Sequence, residues 1–207
     1  MVDEKVANPA AFGAIGFGFA LILLSLYFAE ILDSNGLGVI FATAIFAGGF
    51  APLIAGLWSL KNGNSFGATV FVLGAVFWFS YVSIYFLPFF GFVPVVSEPA
   101  LFMWVQVPYF FLWGIFGFFL FLSSMKTNRV LQVFFFLLAL FFWLVAFGHW
   151  FAWDTWHNTG ITNTVINIFA GFEGVACGFI GIYYGIALLL KDAFNRDIMP
   201  LGAVLKT

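Results

Sequence analysis

The chain has 207 residues, 64% of them hydrophobic, 23% aromatic and only 8% charged, and no soluble core of this size would absorb its 33 phenylalanines, so the composition is that of an integral membrane protein. Seven Lys and Arg against nine Asp and Glu leave a net charge of -2, which excludes the basic footprint that nucleic-acid binding needs. The single cysteine, Cys177, excludes an internal disulfide and a thiolate metal site.

Met1 to Ala7 is mixed in charge and the apolar run after it is of spanning length, so no cleaved leader is expected. A helix needs about 20 apolar residues to cross the hydrocarbon. The punctuation cuts the chain into six such spans: Pro9 to Ala29, Leu37 to Leu60, Phe66 to Phe86, Leu101 to Met125, Val130 to Ala152 and Val165 to Leu190. The breaks between them, such as "KNGN" and "LPFFGFVPVVSEP", carry the Gly, Pro, Asn and charge that stop helices. The organisation predicted is a segment over residues 1–8, a transmembrane domain over 9–190 and a tail over 191–207. The fold class is all-α, with six transmembrane helices.

The cations test that count. With six spans, Lys5, Lys61, Lys126, Arg129, Lys191, Arg196 and Lys206 all fall on one side, and the opposite connections hold Glu30, Asp33, Glu98 and Asp154 with no Lys or Arg. The positive-inside rule then predicts a multi-pass protein of the cell membrane with both termini cytoplasmic. A soluble helical bundle would need a charged outward face on every helix, which these spans lack. Spans one to three and four to six form two halves of opposite orientation, the plan of inverted-repeat transporters around a central pore. "GAIGFGF" in span one and "WGIFGFF" in span four share a Gly-xx-Gly followed by aromatics, and both duplication and ordinary small-xx-small helix packing account for that echo.

In chain order, Asn8 and Pro9 read as an N-cap and first-turn pair, because the amide accepts an orphan N–H and proline has none to waste. That is an ordinary helix start, or, with the positive end of the helix dipole, a hold for a small anion at the cytoplasmic mouth. Trp104, Trp150, Trp153 and Trp156 fall near outer boundaries and Trp58 near an inner one, as interfacial anchors do. His149 and His157 are too few for a metal site, and none is expected. In span six, Gly171, Gly174, Gly178, Gly181 and Gly185 recur at steps of three and four on one face, a packing seam or a pore lining. Glu173 is the one carboxylate well inside a span, either bonded across a helix contact or acting as a proton carrier, with His149 at comparable depth as its candidate partner.

The chain resembles the acetate uptake transporter family, the acetate and succinate permeases. The likeness rests on "NPAAFGAIGFG" at Asn8 to Gly18, "GNSFGAT" at Gly63 to Thr69 with Phe77-Trp78, "RVLQ" at Arg129 to Gln132, and "NRDIMPLG" at Asn195 to Gly202. The resemblance implies one narrow pore per protomer, a homohexamer in the lipid bilayer, and transport of acetate-like monocarboxylates and often succinate, by proton coupling or channel-like conduction. It also implies a hydrophobic constriction at Phe17, Leu138 and Leu73, the last standing where the family has a tyrosine in "S-Y-G" and this chain reads "VLG". Glu173 stands where the family carries an apolar residue, and Ser59 where it has a glutamate. Phe17, with Asn8 and Gly181, is the candidate substrate contact, and the glycines near Phe17 are expected to give its ring room to pivot. No cofactor is implied. The competing readings are a pore for neutral solutes such as amides, urea or undissociated acids, and a scaffold or sensor. An intramembrane enzyme lacks a constellation of ionisable groups.

Overall fold

A computed structural model describes residues 7–159 and 165–203, with the Asp154 side chain outside the description. Eight α-helices carry it: α1 Ala10–Phe28, α2 Leu37–Thr43, α3 Ala51–Lys61, α4 Ser65–Phe89, α5 Pro99–Trp104, α6 Val107–Ser123, α7 Arg129–Thr159 and α8 Val165–Phe194. They make six elements long and apolar enough to cross a membrane: Ala10–Phe28, Ser34–Lys61, Ser65–Phe89, Pro99–Lys126, Arg129–Trp153 and Val165–Phe194. The predicted spans match these in number and order. Lys61, Lys126, Arg129 and Lys191 gather at one end of the bundle, here the basic face. Glu30, Asp33 and Glu98 gather at the other, the acidic face. Lys5 and Lys206 lie outside the described residues.

Two spans are interrupted, each for a proline reason. Span two joins α2 to α3 through a π-helix, Ala44–Phe50. Pro52 has no N–H for the carbonyl of Gly48, so the ladder loosens just before it, and Gly48 and Gly49 let Trp78 and Phe79 close on the widened turn. Span four breaks between α5 and α6 because Pro108 cannot donate to the carbonyl of Trp104. At that break Gln106 Nε2 donates to the Phe102 carbonyl at 2.9 Å.

Helix α1 is the central post. On one side Gly13 and Gly16 meet span two, where a Cβ on Gly13 would lie 2.7 Å from that of Ala55 and one on Gly16 would run into the Ala47 carbonyl. On the other, Gly18 faces α8, where a Cβ would lie 2.7 Å from the Gly178 carbonyl, and the α8 glycine row meets the backbone of α1 at Ala11 and Ser25 and that of Ala29 just beyond it. At Gly171, Gly178 and Gly185 the row is therefore a packing seam, while Gly181 faces the Phe134 ring. The expectation that the glycines beside Phe17 free its ring is corrected: they serve backbone contact, and the glycine against that ring is Gly74 of α4, 3.3 Å away as a Cβ would measure it.

The ends are tied down by specific bonds. Asn8 Oδ1 accepts from Ala10 N–H at 3.0 Å, Asn64 Oδ1 from Gly67 N–H at 2.9 Å and Asn128 Oδ1 from Leu131 N–H at 3.0 Å. These asparagines cap the three helices that start at the basic face, α1, α4 and α7. The "NRDIMPLG" segment returns to the head of α7, where Arg129 and Val130 N–H donate to the carbonyls of Gly202 and Leu201 at 2.9 and 3.2 Å. Trp104 packs on Trp150 at 4.9 Å at the acidic face, and Lys61 sits 5.7 Å over exposed Trp58 at the basic face.

Candidate functional site

Three hollows run through the bundle. At the basic face a vestibule of about 670 Å³ is bounded by Ala10, Asn64, Gly67, Asn128 and Tyr184. Three helix starts therefore surround it, and the aligned peptide dipoles of α1, α4 and α7 give it a positive partial charge. Val70, Phe71, Leu131, Phe135 and Tyr184 also bound the second hollow, a cavity of about 50 Å³ whose wall is almost wholly carbon. That is more than the ~10–15 Å³ a water molecule needs. At the acidic face a vestibule of about 470 Å³ lies among Glu30, Asp33, Tyr85, Gln106, His149 and Asn167.

Phe17, Leu138 and Gly181 all line the middle cavity, brought there from α1, α7 and α8. Phe17 is nearly buried and meets Trp78 and Phe134 edge to face at 5.7 and 6.1 Å. Gly181 leaves space that a Cβ would close, 3.0 Å from the Phe134 ring. Leu73 is not part of the wall and lines neither vestibule. From α4 the wall takes Val70, Phe71, Gly74 and Phe77, and at about 100° per residue the middle of that arc lies roughly 90° from Leu73. Asn8 caps α1 at the basic face and is not itself in the wall of the vestibule there.

Between cavity and acidic vestibule stands an aromatic plug. Phe77, Tyr81 and Tyr85 recur every fourth residue on α4, with rings 5.9 and 5.5 Å apart, and Phe110 crosses from α6 to meet Tyr81 at 6.1 Å. Phe28 closes the other side against Phe110 and Phe141. The barrier is not wholly apolar, because the Tyr81 and Tyr85 hydroxyls hydrogen-bond at 3.2 Å. Sequence reasoning missed this plug, although the aromatic repeat at i, i+4, i+8 is its signature.

Glu173 and His149 do not pair. Both carboxyl oxygens of Glu173 are buried with no hydrogen-bond partner among the described residues, so it neither reaches His149 nor bonds a Ser, a Thr or a backbone carbonyl. His149 instead lies against the rings of Phe28 and Phe110, at 6.0 and 5.2 Å, and its buried Nδ1 has no hydrogen-bond partner among the described residues. The expected partnership is corrected: equal depth on two helices does not bring them to one side. His157, at the acidic end, lies 3.6 Å from Glu98.

Residues 1–199 match the GPR1/FUN34/yaaH family. The succinate-acetate/proton symporter SatP of Escherichia coli strain K12 is 39% identical over 206 residues, 98% of each chain. The solved structure of the bacterial acetate channel SatP superposes with a TM-score of 0.82 at 36% identity, over 96% of this chain and 100% of that one.

Proposed function

The chain belongs to the GPR1/FUN34/yaaH family, and on that premise we propose that it is a membrane transporter or channel that carries acetate and similar small monocarboxylates, succinate among them, through a pore inside each protomer. The observation that carries this reading is the row of two vestibules and a cavity in one chain, passing Phe17. The basic face is cytoplasmic by the positive-inside rule, which puts both termini there, and the protomers associate as a homohexamer in the bilayer.

An acetate ion in hydrocarbon costs many kcal/mol without compensation. Three features offset that cost. The basic-face vestibule offers an anion the positive dipole ends of α1, α4 and α7, and Asn8 fixes the first of them. Phe17, Leu138, Val70 and Phe77 form an apolar constriction that strips water, and the partly positive edges of its aromatic rings offset part of the cost. Gly181 leaves the width a carboxylate and its methyl group require. Glu173, buried and unbonded, is the candidate proton carrier.

Uptake of radiolabelled acetate into proteoliposomes, with the pH gradient and the acetate gradient set independently, tests the reading. The expected result is saturable uptake that an inward proton gradient drives above equilibrium. Uptake equal to that of protein-free vesicles at every pH would overturn it.

A further inference from the structure

The acidic-face vestibule has a chemistry opposite to that of the basic-face one. Its wall contains three deeply buried polar side chains, Gln106 at 3% exposure, His149 at 4% and Asn167 at 0%, the last already engaged. Gln106 Nε2 donates to the Phe102 carbonyl at 2.9 Å, which only the NH₂ end of the amide can do, so the amide orientation is fixed and Oε1 is left over without a partner. His149 Nδ1 is likewise buried with no hydrogen-bond partner among the described residues. A ring nitrogen of a neutral imidazole either donates or accepts, and a carboxylic acid offers both roles. A buried acceptor and a buried ring nitrogen in one wall each need a partner.

The charged groups there point the same way. Glu30 closes α1 in the left-handed conformation (φ 58°), with Ile31 N–H reaching back to Leu26 O at 3.0 Å, and this sets its carboxylate at the vestibule. Asp33 stands beside it, holding Asn35 through both carboxylate oxygens at 2.9 Å. Among the described residues the remaining titratable groups are the phenols Tyr27 and Tyr85, and no Lys or Arg lines this hollow. An anion entering here meets carboxylates and the Gln106 acceptor and finds no cation.

Resting on the transport reading above, we propose that the acidic-face vestibule is a selective binding site for the undissociated form of a small carboxylic acid, whose O–H supplies the donor that Gln106 Oε1 lacks and whose carboxyl group pairs with His149 Nδ1. Beyond this hollow the plug and the cavity are largely aromatic and aliphatic, and a neutral solute enters them at less cost than an ion. The two mouths thus recognise the two protonation forms of one solute: the acid at this face, the anion among helix N-termini at the other.

Acetamide is a neutral, non-ionising mimic of acetic acid with an N–H donor; methyl acetate has similar shape and no donor. Their binding to the detergent-solubilised protein is read by saturation-transfer NMR, so the result does not depend on flux. Acetamide is expected to bind about tenfold tighter than methyl acetate, the size of one satisfied buried hydrogen bond. His149→Phe, which keeps a ring against Phe28 and Phe110, and separately Gln106→Leu, should each reduce that preference, while His149→Asn, which restores a hydrogen-bonding group, should keep part of it. Equal binding of the two probes by the wild-type protein overturns the proposal. So does ammonium displacing acetamide at equal concentration, which would make the hollow a cation site. Proteoliposomes that carry acetate while showing either result would leave the transport reading standing; absence of acetate flux with acetamide selectivity intact would sink that reading and keep this site.

Discussion

Gly181 is where a side chain would intrude furthest on the route. A Cβ there lies 3.0 Å from Phe134 Cε2, and the Phe134 ring already packs on Phe17 at 6.1 Å, around a cavity of about 50 Å³. Alanine obliges the ring to give by a few tenths of an ångström. Valine places two methyl groups beyond that contact, and Phe134 can then yield only by pressing on Phe17. Overpacking of this kind costs about 1–3 kcal/mol. Where it falls on the barrier to transit, flux slows by roughly 5- to 150-fold. Propionate, one methylene longer than acetate, should lose more than acetate does, so the acetate-to-propionate ratio rises from wild type through Gly181→Ala to Gly181→Val. Initial uptake rates in proteoliposomes, with each variant matched to wild type in elution volume and thermal midpoint, read the effect. A Gly181→Val protein that is folded and carries both acids at the wild-type rates and ratio would refute the reasoning.

Leu138→Ala removes a wall residue beside Phe17; the thermal midpoint should fall, in keeping with a loss of about 2–5 kcal/mol, while uptake of propionate and butyrate gains on acetate. Gly178→Leu attacks the seam, where a Cβ would already stand 2.6 Å from Ile22 Cγ1 and 3.0 Å from the Gly18 carbonyl, so size-exclusion chromatography should show loss of folded protein. Glu173→Gln keeps the shape and removes the proton. If Glu173 carries it, proton-driven acetate uptake, which rises as the outside pH falls, becomes flat with pH, and an unchanged profile removes Glu173 from the mechanism.

Depth was legible in the sequence and azimuth was not. The six spans and their order follow from counting apolar residues between breaks, and the clustering of Lys61, Lys126, Arg129 and Lys191 at one end follows from that count. The cavity contacts of Phe17, Leu138 and Gly181 were also within reach, because each sits in a motif or on a small-residue face. Leu73 shows the limit: its level in the membrane was readable, but the side of α4 that faces inward is decided by packing against α1, α6 and α7. His149 and Glu173 repeat the lesson across two helices. The π-helix at Ala44–Phe50 and the break before Val107 needed the partners as well as the prolines, since a proline marks a disturbed ladder without saying how the chain absorbs it.

The central claim is that solute crosses inside each protomer, from one vestibule through the cavity at Phe17 to the other. Val70 borders both the basic-face vestibule and that cavity. In a Cys177→Ala background, Val70→Cys can be modified by a membrane-impermeant thiol reagent from the basic-face side while acetate flux is followed. Flux should fall in direct proportion to the fraction of chains modified, one blocked pore for each, and acetate should slow the modification. Complete modification with flux undiminished would contradict the account.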